Sequence, residues 1–277
     1  MTLAVGFFDG VHLGHQAILD GADAALTFRT HPLAVVAPER APRLLMDFET
    51  RRRAIMSCGV REVRAFDFTE AFSRLSPDEF VVEAGISPGD RVRCGANWRF
   101  GRGGAGDAAY LRARGVEVDV VPYVVYRGER VSSTRIRAAL EAGAVEDANA
   151  MLGRPYEVRG RPFSGKGEGA RLGFPTMNLV LDPPGPRLPL GVYAVEAGGR
   201  RAVANYGFAP TFGPRAWKTP VMEVHVLSSG DVGAFGPVAL LRYLRPERTF
   251  ASLEELKSQV ARDCEEAESL AAGRNAT

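Results

Sequence analysis

The sequence predicts an α/β unit built on a parallel sheet, followed by a small antiparallel β-barrel and a closing helix. Strand-like and helix-like segments alternate through residues 1–150, which is typical of a parallel sheet with helices on both faces. Short strand-like segments separated by Gly- and Pro-rich turns fill the rest, as in a small barrel. Gly153-Arg154-Pro155 ends the last predicted helix of the first pattern and marks the boundary between the two patterns. We therefore expect two domains, residues 1–150 and 151–277.

The first domain supplies its elements in alternating order. Apolar runs predict strands at residues 3–5, 24–28, 62–66, 91–94 and 117–125. Helix-type spacing predicts helices at residues 48–58, 77–84 and 108–114, with a short helix beginning near residue 16. Two further helices, interrupted at Gly143, are expected within residues 134–152. Ligands of such sheets lie at the carboxyl ends of the strands, where the first turn and the loop after Cys94 are both expected.

The second domain is predicted to be mostly β-structure. Strands are expected at residues 157–162, 191–197, 201–206, 220–226 and 238–244. Residues 253–271 predict an amphipathic helix, with Ser252 as its N-cap and two glutamates in its first turn.

Composition is that of an ordinary globular protein. The 277 residues are 45% hydrophobic and 25% charged, and the formal net charge of +2 gives no indication of nucleic-acid or membrane binding. The three cysteines, Cys58, Cys94 and Cys264, suggest neither a disulfide framework nor a metal pair. The sequence shows neither a signal peptide nor a transmembrane run. We expect a cytoplasmic protein without an obligate protein partner.

The most informative segment is the turn from Gly6 to His15, between the first strand and the first helix. It carries His12 and His15, while Gly10 and Gly14 let the backbone approach a ligand closely. A helix N-terminus attracts phosphate, so the turn predicts a nucleotide site. The alternatives are solvated histidines or zinc, although zinc needs three or four ligands and no cysteine is near in sequence.

Two more clusters in the first domain are suited to nucleotides. Residues 94–107 form a glycine-rich loop that contains Asn97, and the alternative is a plain surface loop. Ser133, Thr134 and Arg135 offer hydroxyl, backbone and guanidinium donors for phosphate at a helix start. The alternative for this cluster is ordinary N-capping by Ser133.

The second domain offers a glycine loop and an oxygen pair. Gly165 and Lys166 open a glycine-rich stretch that is not a Walker A loop and leads to Gly173. Thr176 and Asn178 lie two residues apart, on one face of an extended segment, where their oxygens could hold Mg²⁺ with phosphate. Glu223, within an apolar strand, is either an outward solvated carboxylate or a general base.

These motifs, in this order, resemble the bacterial bifunctional riboflavin kinase/FMN adenylyltransferases, also called FAD synthetases. The segments that resemble the adenylyltransferase module are residues 8–15, 31–32, 97–101 and 132–137. The segments that resemble the kinase module are residues 153–156, 172–178, 205–213 and 223–225. The resemblance implies a Rossmann-like nucleotidyltransferase domain before a riboflavin kinase barrel.

The resemblance also implies two successive reactions in FAD biosynthesis, with riboflavin, FMN and ATP as the small-molecule substrates. In the kinase, Thr176 and Asn178 would position Mg²⁺-ATP and Glu223 would accept the proton of the riboflavin hydroxyl. In the adenylyltransferase, His12 and His15 would act on the reacting phosphates. The residues expected to bind ATP or phosphate are Gly6, Phe8, Asp9, Gly10, Asn97, Ser133, Thr134, Arg135, Gly165, Lys166, Gly173, Thr176 and Asn178.

Three other functions remain open at this point. Only about nine residues separate His15 from the next strand, less than a full strand–helix–strand unit needs. The chain could therefore be a riboflavin kinase with an inactive first domain. It could also be a flavin-binding carrier, against which the set Thr176, Asn178 and Glu223 argues. An unrelated nucleotidyltransferase with an appended barrel is the last alternative, and Phe174-Pro175-Thr176 with Glu223 argues against it.

Overall fold

A computed structural model describes residues 1–163, 174–182, 185–208, 219–227 and 236–270. The chain forms two compact units, Met1–Ser133 and Thr134–Thr277. These units are defined by compactness, whereas the boundary expected at residue 150 separates two functional modules and stays a prediction. Within the described ranges, no helix has the length and apolar character needed to cross a membrane.

The first unit contains the predicted parallel sheet. Its strands are β1 (Thr2–Val5), β2 (Ala24–Phe28), β3 (Glu62–Phe66), β4 (Arg91–Gly95) and β5 (Glu117–Val121). They pair in the order β3-β2-β1-β4-β5, and every neighbouring pair is parallel. The order reverses between β1 and β4, and ligands of doubly wound sheets bind outside the carboxyl ends of the strands at such a reversal.

Helices cover both faces of this sheet, as predicted. They are α1 (Leu13–Leu19), α2 (Leu33–Val36), α3 (Phe48–Met56), α4 (Glu70–Ser73), α5 (Pro77–Glu83) and α6 (Ala108–Arg112). Side chains alternate along β1, so Leu3 packs with Phe80 of α5 and Leu111 of α6 on one face. Ala4 packs with Leu19 of α1 and Ile55 of α3 on the other. The two cores fix the turn that leaves β1.

Two predicted boundaries in the first unit are wrong. The strand expected over residues 117–125 ends at Val121, because Pro122 has no N–H to continue the ladder. A hairpin follows, of β6 (Val125–Tyr126) and β7 (Glu129–Arg130). The first helix begins at Leu13 rather than near residue 16, because the His12 side chain caps it.

The second unit begins with α7 (Ser133–Glu141), whose first residue belongs to the first unit, and α8 (Val145–Leu152). Its strands are β8 (Tyr156–Val158), β9 (Gly160–Phe163), β10 (Met177–Leu181), β11 (Gly191–Ala197), β12 (Arg200–Gly207), β13 (Val221–Val226) and β14 (Val238–Arg245). The strand expected over residues 157–162 is two strands, β8 and β9, separated by Arg159. These two lie at opposite ends of the order β8-β14-β11-β12-β13-β10-β9. The sheet therefore curls as a barrel does, because one residue joins its two edges.

The closing helix, α9 (Leu253–Ser269), lies on the outer face of this sheet. Ser252 caps it as predicted, accepting a hydrogen bond from the Glu255 N–H. Ala267 packs with Val192 of β11 and Val203 of β12. The helix thus covers part of one face and leaves the neighbouring part to polar side chains.

Candidate active sites

The turn between β1 and α1 has an unusual backbone. Phe8, Gly10 and Val11 have positive φ angles of 60°, 82° and 42°. For the two residues with a Cβ this conformation costs ~1–3 kcal/mol each, so the surroundings must impose it. Phe8 and Val11 are buried in the core beneath the turn, which supplies that constraint. The strain lies at the edge of the sheet where doubly wound folds generally bind their ligands.

His12 and His15 stack against each other at the start of α1. Their ring centroids are 3.6 Å apart, with 17° between the ring planes. The His12 Nδ1 atom accepts a hydrogen bond from the His15 backbone N–H at 3.3 Å. Burial lowers the pKa of His15 well below its usual value, and the charges of His12 and Arg51 lower it further. His15 is therefore neutral at pH 7, and a neutral imidazole carries one ring N–H that can donate a hydrogen bond.

Gly14 makes room for the His12 ring. A Cβ at position 14 would lie 3.2 Å from the His12 Cε1 atom and 3.3 Å from its Nδ1 atom. The sequence suggested that this glycine admits a ligand, whereas its nearest neighbour is the catalytic candidate itself. Any larger residue would push against His12.

Asp9 and Ser133 meet at this turn although they are distant in sequence. The Ser133 hydroxyl donates a hydrogen bond of 2.9 Å to the Asp9 carbonyl. Ser133 is the first residue of α7 and not the residue before it, so it does not occupy the N-cap position considered from the sequence. The Asp9 carboxylate, in a residue only 4% exposed, accepts a hydrogen bond from the Leu45 N–H at 2.9 Å. Thr134 and Arg135 follow directly in α7 and belong to the second unit, so their assignment remains a prediction.

The loop after β4 reaches the same edge because β4 lies beside β1. Asn97 is exposed, and its Oδ1 atom lies 3.6 Å from where a Cβ of Gly95 would be. Ile18 of α1 lies 3.7 Å from the same point. The structure thus places Asn97 next to the helix that begins at the histidine pair.

Aromatic side chains at this edge were missed from the sequence. Phe28 ends β2, Phe68 follows β3, and Trp98 and Phe100 follow β4, whereas Phe72 and Phe80 come from α4 and α5. Successive ring centroids are 4.7–6.4 Å apart. For the four residues at or just past strand ends, that position was the available signal. The group consists of Phe28, Phe68, Phe72, Phe80, Trp98 and Phe100.

A polar row crosses three strands of the second unit. Asn178 of β10 lies directly opposite Glu223 of β13, and Asn205 of β12 lies opposite Glu223 on its other side. Directly opposed residues share a face and have Cβ atoms ~4.5–5.5 Å apart. Asn205 was not among the predicted site residues, because only the strand register reveals its place beside Glu223.

Glu223 faces away from the barrel interior but is only half-exposed. Its neighbours Met222 and Val224 are buried, as the alternation along β13 requires. The carboxylate is thus neither fully solvated nor part of the core. A half-exposed carboxylate within a polar row can receive a proton from a bound alcohol.

His225 holds the segment that leads into β10. Its Nδ1 atom lies 2.9 Å from the Pro175 carbonyl oxygen, and the Phe174 ring meets it edge-on at 5.3 Å. Thr176 follows Pro175 and is half-buried. Because His225 is two residues from Glu223, it shares that face of β13 and keeps Thr176 next to the row.

Asn178 provides an oxygen that fits a hard cation. The residue is 8% exposed, and its Oδ1 atom has no hydrogen-bond partner. A buried acceptor left unpaired costs ~1–3 kcal/mol. Mg²⁺ prefers oxygen ligands and usually binds with substrate phosphates, so Asn178 and Thr176 suit that role. The other predicted residues of this site, Gly165, Lys166 and Gly173, lie outside the described residues.

Two family models match the chain. The model described as FAD synthetase matches residues 1–135, and the model described as riboflavin kinase matches residues 152–271.

Individual relatives match over nearly the whole chain. The bifunctional riboflavin kinase/FMN adenylyltransferase of Bacillus subtilis is 31% identical, over 96% of this chain and 91% of its own length. The protein of the same name from Escherichia coli K12 is 34% identical, over 95% and 90%. A crystal structure called macrolide-efflux protein, from Streptococcus pneumoniae, matches with a TM-score of 0.84 and 28% identity, over 97% of this chain and 94% of that one.

Proposed function

The chain belongs to the family of bifunctional riboflavin kinase/FMN adenylyltransferases, and we propose how its own residues carry the two reactions. It is a transferase that phosphorylates riboflavin to FMN with ATP and then adenylylates FMN to FAD, releasing pyrophosphate. Because a model of each module matches, the bifunctional reading is favoured over a kinase with an inactive first domain.

Glu223 is the proposed general base of the kinase. A neutral alcohol is a poor nucleophile, so the riboflavin 5′-hydroxyl must lose its proton as it attacks the γ-phosphate of ATP. Glu223 is half-exposed on the outer face, where an alcohol can reach it, and Asn178 and Asn205 flank it. The register of these three residues is the observation that carries the kinase assignment.

Thr176 and Asn178 are the proposed residues for Mg²⁺ and the ATP phosphates. When bound there, Mg²⁺ would neutralise charge on the transferring phosphoryl group. The unpartnered Asn178 Oδ1 atom supports this role, and the contact between His225 and Pro175 keeps Thr176 in place. The stretch from Gly165 to Gly173, including Lys166, is proposed from the sequence alone to cover the phosphates.

His12 and His15 are the proposed catalytic pair of the adenylyltransferase. Adenylyl transfer here needs no covalent enzyme intermediate, since the FMN phosphate can attack the α-phosphate of ATP directly. The enzyme's task is then to position the two phosphates and offset their charge. The neutral His15 imidazole donates its N–H group, His12 lies stacked against it, and the backbone from Gly6 to Gly10 curves around the phosphates. Ser133, Thr134 and Arg135 are proposed to receive the outgoing pyrophosphate.

The aromatic group beside this turn suits the flavin ring of FMN. A planar isoalloxazine stacks well on aromatic side chains, and Trp98 and Phe68 of the group are partly exposed. Asn97, which is exposed in the same loop as Trp98, is proposed to contact the bound nucleotide.

Product analysis tests both assignments. Purified protein incubated with riboflavin, ATP and Mg²⁺ is expected to form FMN first and FAD later, with FAD and FMN resolved by chromatography. FMN alone would contradict the adenylyltransferase assignment. If neither FMN nor FAD formed, both assignments would be contradicted. A cytoplasmic location, the domain boundary at residue 150 and the lack of an obligate protein partner remain predictions.

A further inference from the structure

Arg51 is a fully buried cation beneath the histidine turn. It is 0% exposed and belongs to α3. Its Nη2 atom donates to the carbonyls of Phe28 and Arg29, at 2.5 and 3.2 Å. Its Nε and Nη1 atoms are buried without a hydrogen-bond partner. A buried charge that lacks full pairing costs several kcal/mol, so its presence here needs an explanation beyond packing.

The surroundings of Arg51 connect two strand ends. Its guanidinium lies 3.9 Å from the ring centroid of Phe7, which leaves β1, and 5.5 Å from that of Phe48. The carbonyls of Phe28 and Arg29, which accept its hydrogen bonds, stand at the end of β2. Arg51 thus fastens the carboxyl ends of β1 and β2, next to the turn that carries the histidines.

The charge of Arg51 also acts on that turn. The charge of Arg51, like that of His12, lowers the pKa of His15. Asp9 and Asp47 face Arg51 and favour its charged form, although burial lowers the pKa of Arg51 to about 10. At neutral pH the guanidinium remains charged, and it adds a fixed positive potential where triphosphate and FMN phosphate must approach each other.

We propose that Arg51 is a positioning residue for adenylyl transfer, which holds the carboxyl ends of β1 and β2, and with them the β1–α1 turn, in shape. This inference rests on the assignment of adenylyl transfer to the first unit. Arg51 acts through the backbone of the turn and through His15, because its guanidinium is buried away from solvent and cannot reach a substrate. Neither the motifs of the sequence nor the proposed catalytic set includes it.

Three variants of the full chain separate charge from shape. Arg51→Gln removes the charge, Arg51→Lys keeps the charge but lacks the planar guanidinium that lies over the Phe7 ring, and Arg52→Gln is the matched control. Arg52 is the next residue of α3 and forms an ion pair with Glu49 instead. For each variant, kcat/KM for FAD formation from FMN and ATP is measured between pH 5 and 9. Thermal unfolding is the control for folding, and riboflavin phosphorylation is the control for the second unit.

We expect Arg51→Gln to lower kcat/KM for FAD formation ~100-fold, the effect of a misplaced site, and to move the acidic limb of its pH profile upward. The limb moves upward because loss of a positive neighbour makes His15 easier to protonate. Arg51→Lys should lower kcat/KM for FAD formation ~10-fold, since only part of the contacts that hold the two strand ends is lost. The acidic limb of its pH profile should stay at the wild-type position, because the charge is kept. Arg52→Gln and all kinase rates should stay within about twofold.

Unchanged kcat/KM in Arg51→Gln, or a pH limb that coincides with that of the wild type, would overturn the inference while leaving the proposed function intact. If Arg51→Gln fails to fold, Arg51→Lys is the deciding variant. A kcat/KM within about threefold of wild type would then show that the guanidinium contacts with the ends of β1 and β2 are unnecessary. A wild-type protein that forms no FAD would instead contradict the assignment of the first unit.

Discussion

Asn178 and Glu223 occupy directly opposed positions on β10 and β13, so that the oxygen proposed for Mg²⁺ and the proposed base share one face of the sheet. They are far apart in sequence, and no local motif joins them. A phosphoryl donor held at Asn178 and an alcohol held at Glu223 would be neighbours across a single pair of strands. This relationship makes the kinase mechanism testable residue by residue.

Glu223→Gln should abolish FMN formation and leave FAD formation from added FMN nearly intact. The amide keeps the shape of the side chain but cannot accept the proton, a loss of ~10²–10⁴-fold in kcat. Both rates are followed by chromatography of the flavins. Glu196→Gln, an exposed glutamate on β11, is the control and should match wild type. Full kinase turnover in Glu223→Gln would remove that residue from the role of base.

Asn178→Ala should raise the Mg²⁺ concentration needed for half-maximal kinase rate. The variant removes an oxygen that has no other partner, so folding should lose little hydrogen bonding while the metal loses a ligand. We expect a shift of ~10-fold or more, the loss typical of a disturbed metal site. The measurement is the initial rate of FMN formation against free Mg²⁺ at fixed ATP. A Mg²⁺ dependence identical to wild type would refute the metal role of Asn178.

His15→Ala should reduce FAD formation sharply while riboflavin phosphorylation continues. Because the pKa of His15 is held well below its usual value, the side chain stays neutral as the pH falls from 7 towards 6. The wild-type rate of adenylylation should therefore persist in a range where an ordinary histidine would become protonated. The pH profile of FAD formation measures this. An acidic limb near the ordinary pKa of histidine, ~6.5, would contradict the neutral role.

Gly14→Ala should separate stability from activity. Alanine favours helix over glycine by up to ~1 kcal/mol, so α1 should not be weakened. The new Cβ would press on the His12 ring, which should lower FAD formation. Thermal unfolding and kcat/KM for FAD formation are measured together. Ala17→Gly in the same helix is the converse control, with lower stability and retained activity. Wild-type activity in Gly14→Ala would show that His12 tolerates displacement.

Much of the fold was predictable because its local signals agree. The strands β2 and β3, the interruption at Gly143 and the cap at Ser252 all follow from spacing and residue type. The prediction failed where one residue changed the path, as at Pro122 and Arg159. The first ends a ladder for lack of an N–H, and the second divides one predicted strand into two that lie at opposite edges of one sheet.

The site was predictable only as separate segments. Glycines and histidines mark the turn after β1, and Thr176, Asn178 and Glu223 mark the second unit, but their spacing in sequence says nothing about their distance in space. Arg51 gave no signal, and Asn205 stood only as the first residue of a segment that resembles the kinase module, with nothing to place it beside Glu223. A buried arginine looks like a surface residue in a helix with two further arginines, and Asn205 acquires its neighbour only through strand pairing.

The sequence by itself determined the class of fold, the order of the elements and the motifs that identify the family, because these depend on periodicity and on local residue chemistry. Tertiary structure alone decided that Ser133 reaches Asp9, that Asn178 opposes Glu223 and that Arg51 is buried under the histidine turn. These contacts depend on strand order and register. They are set by how the apolar faces pack together, a property of the whole chain that no short segment contains.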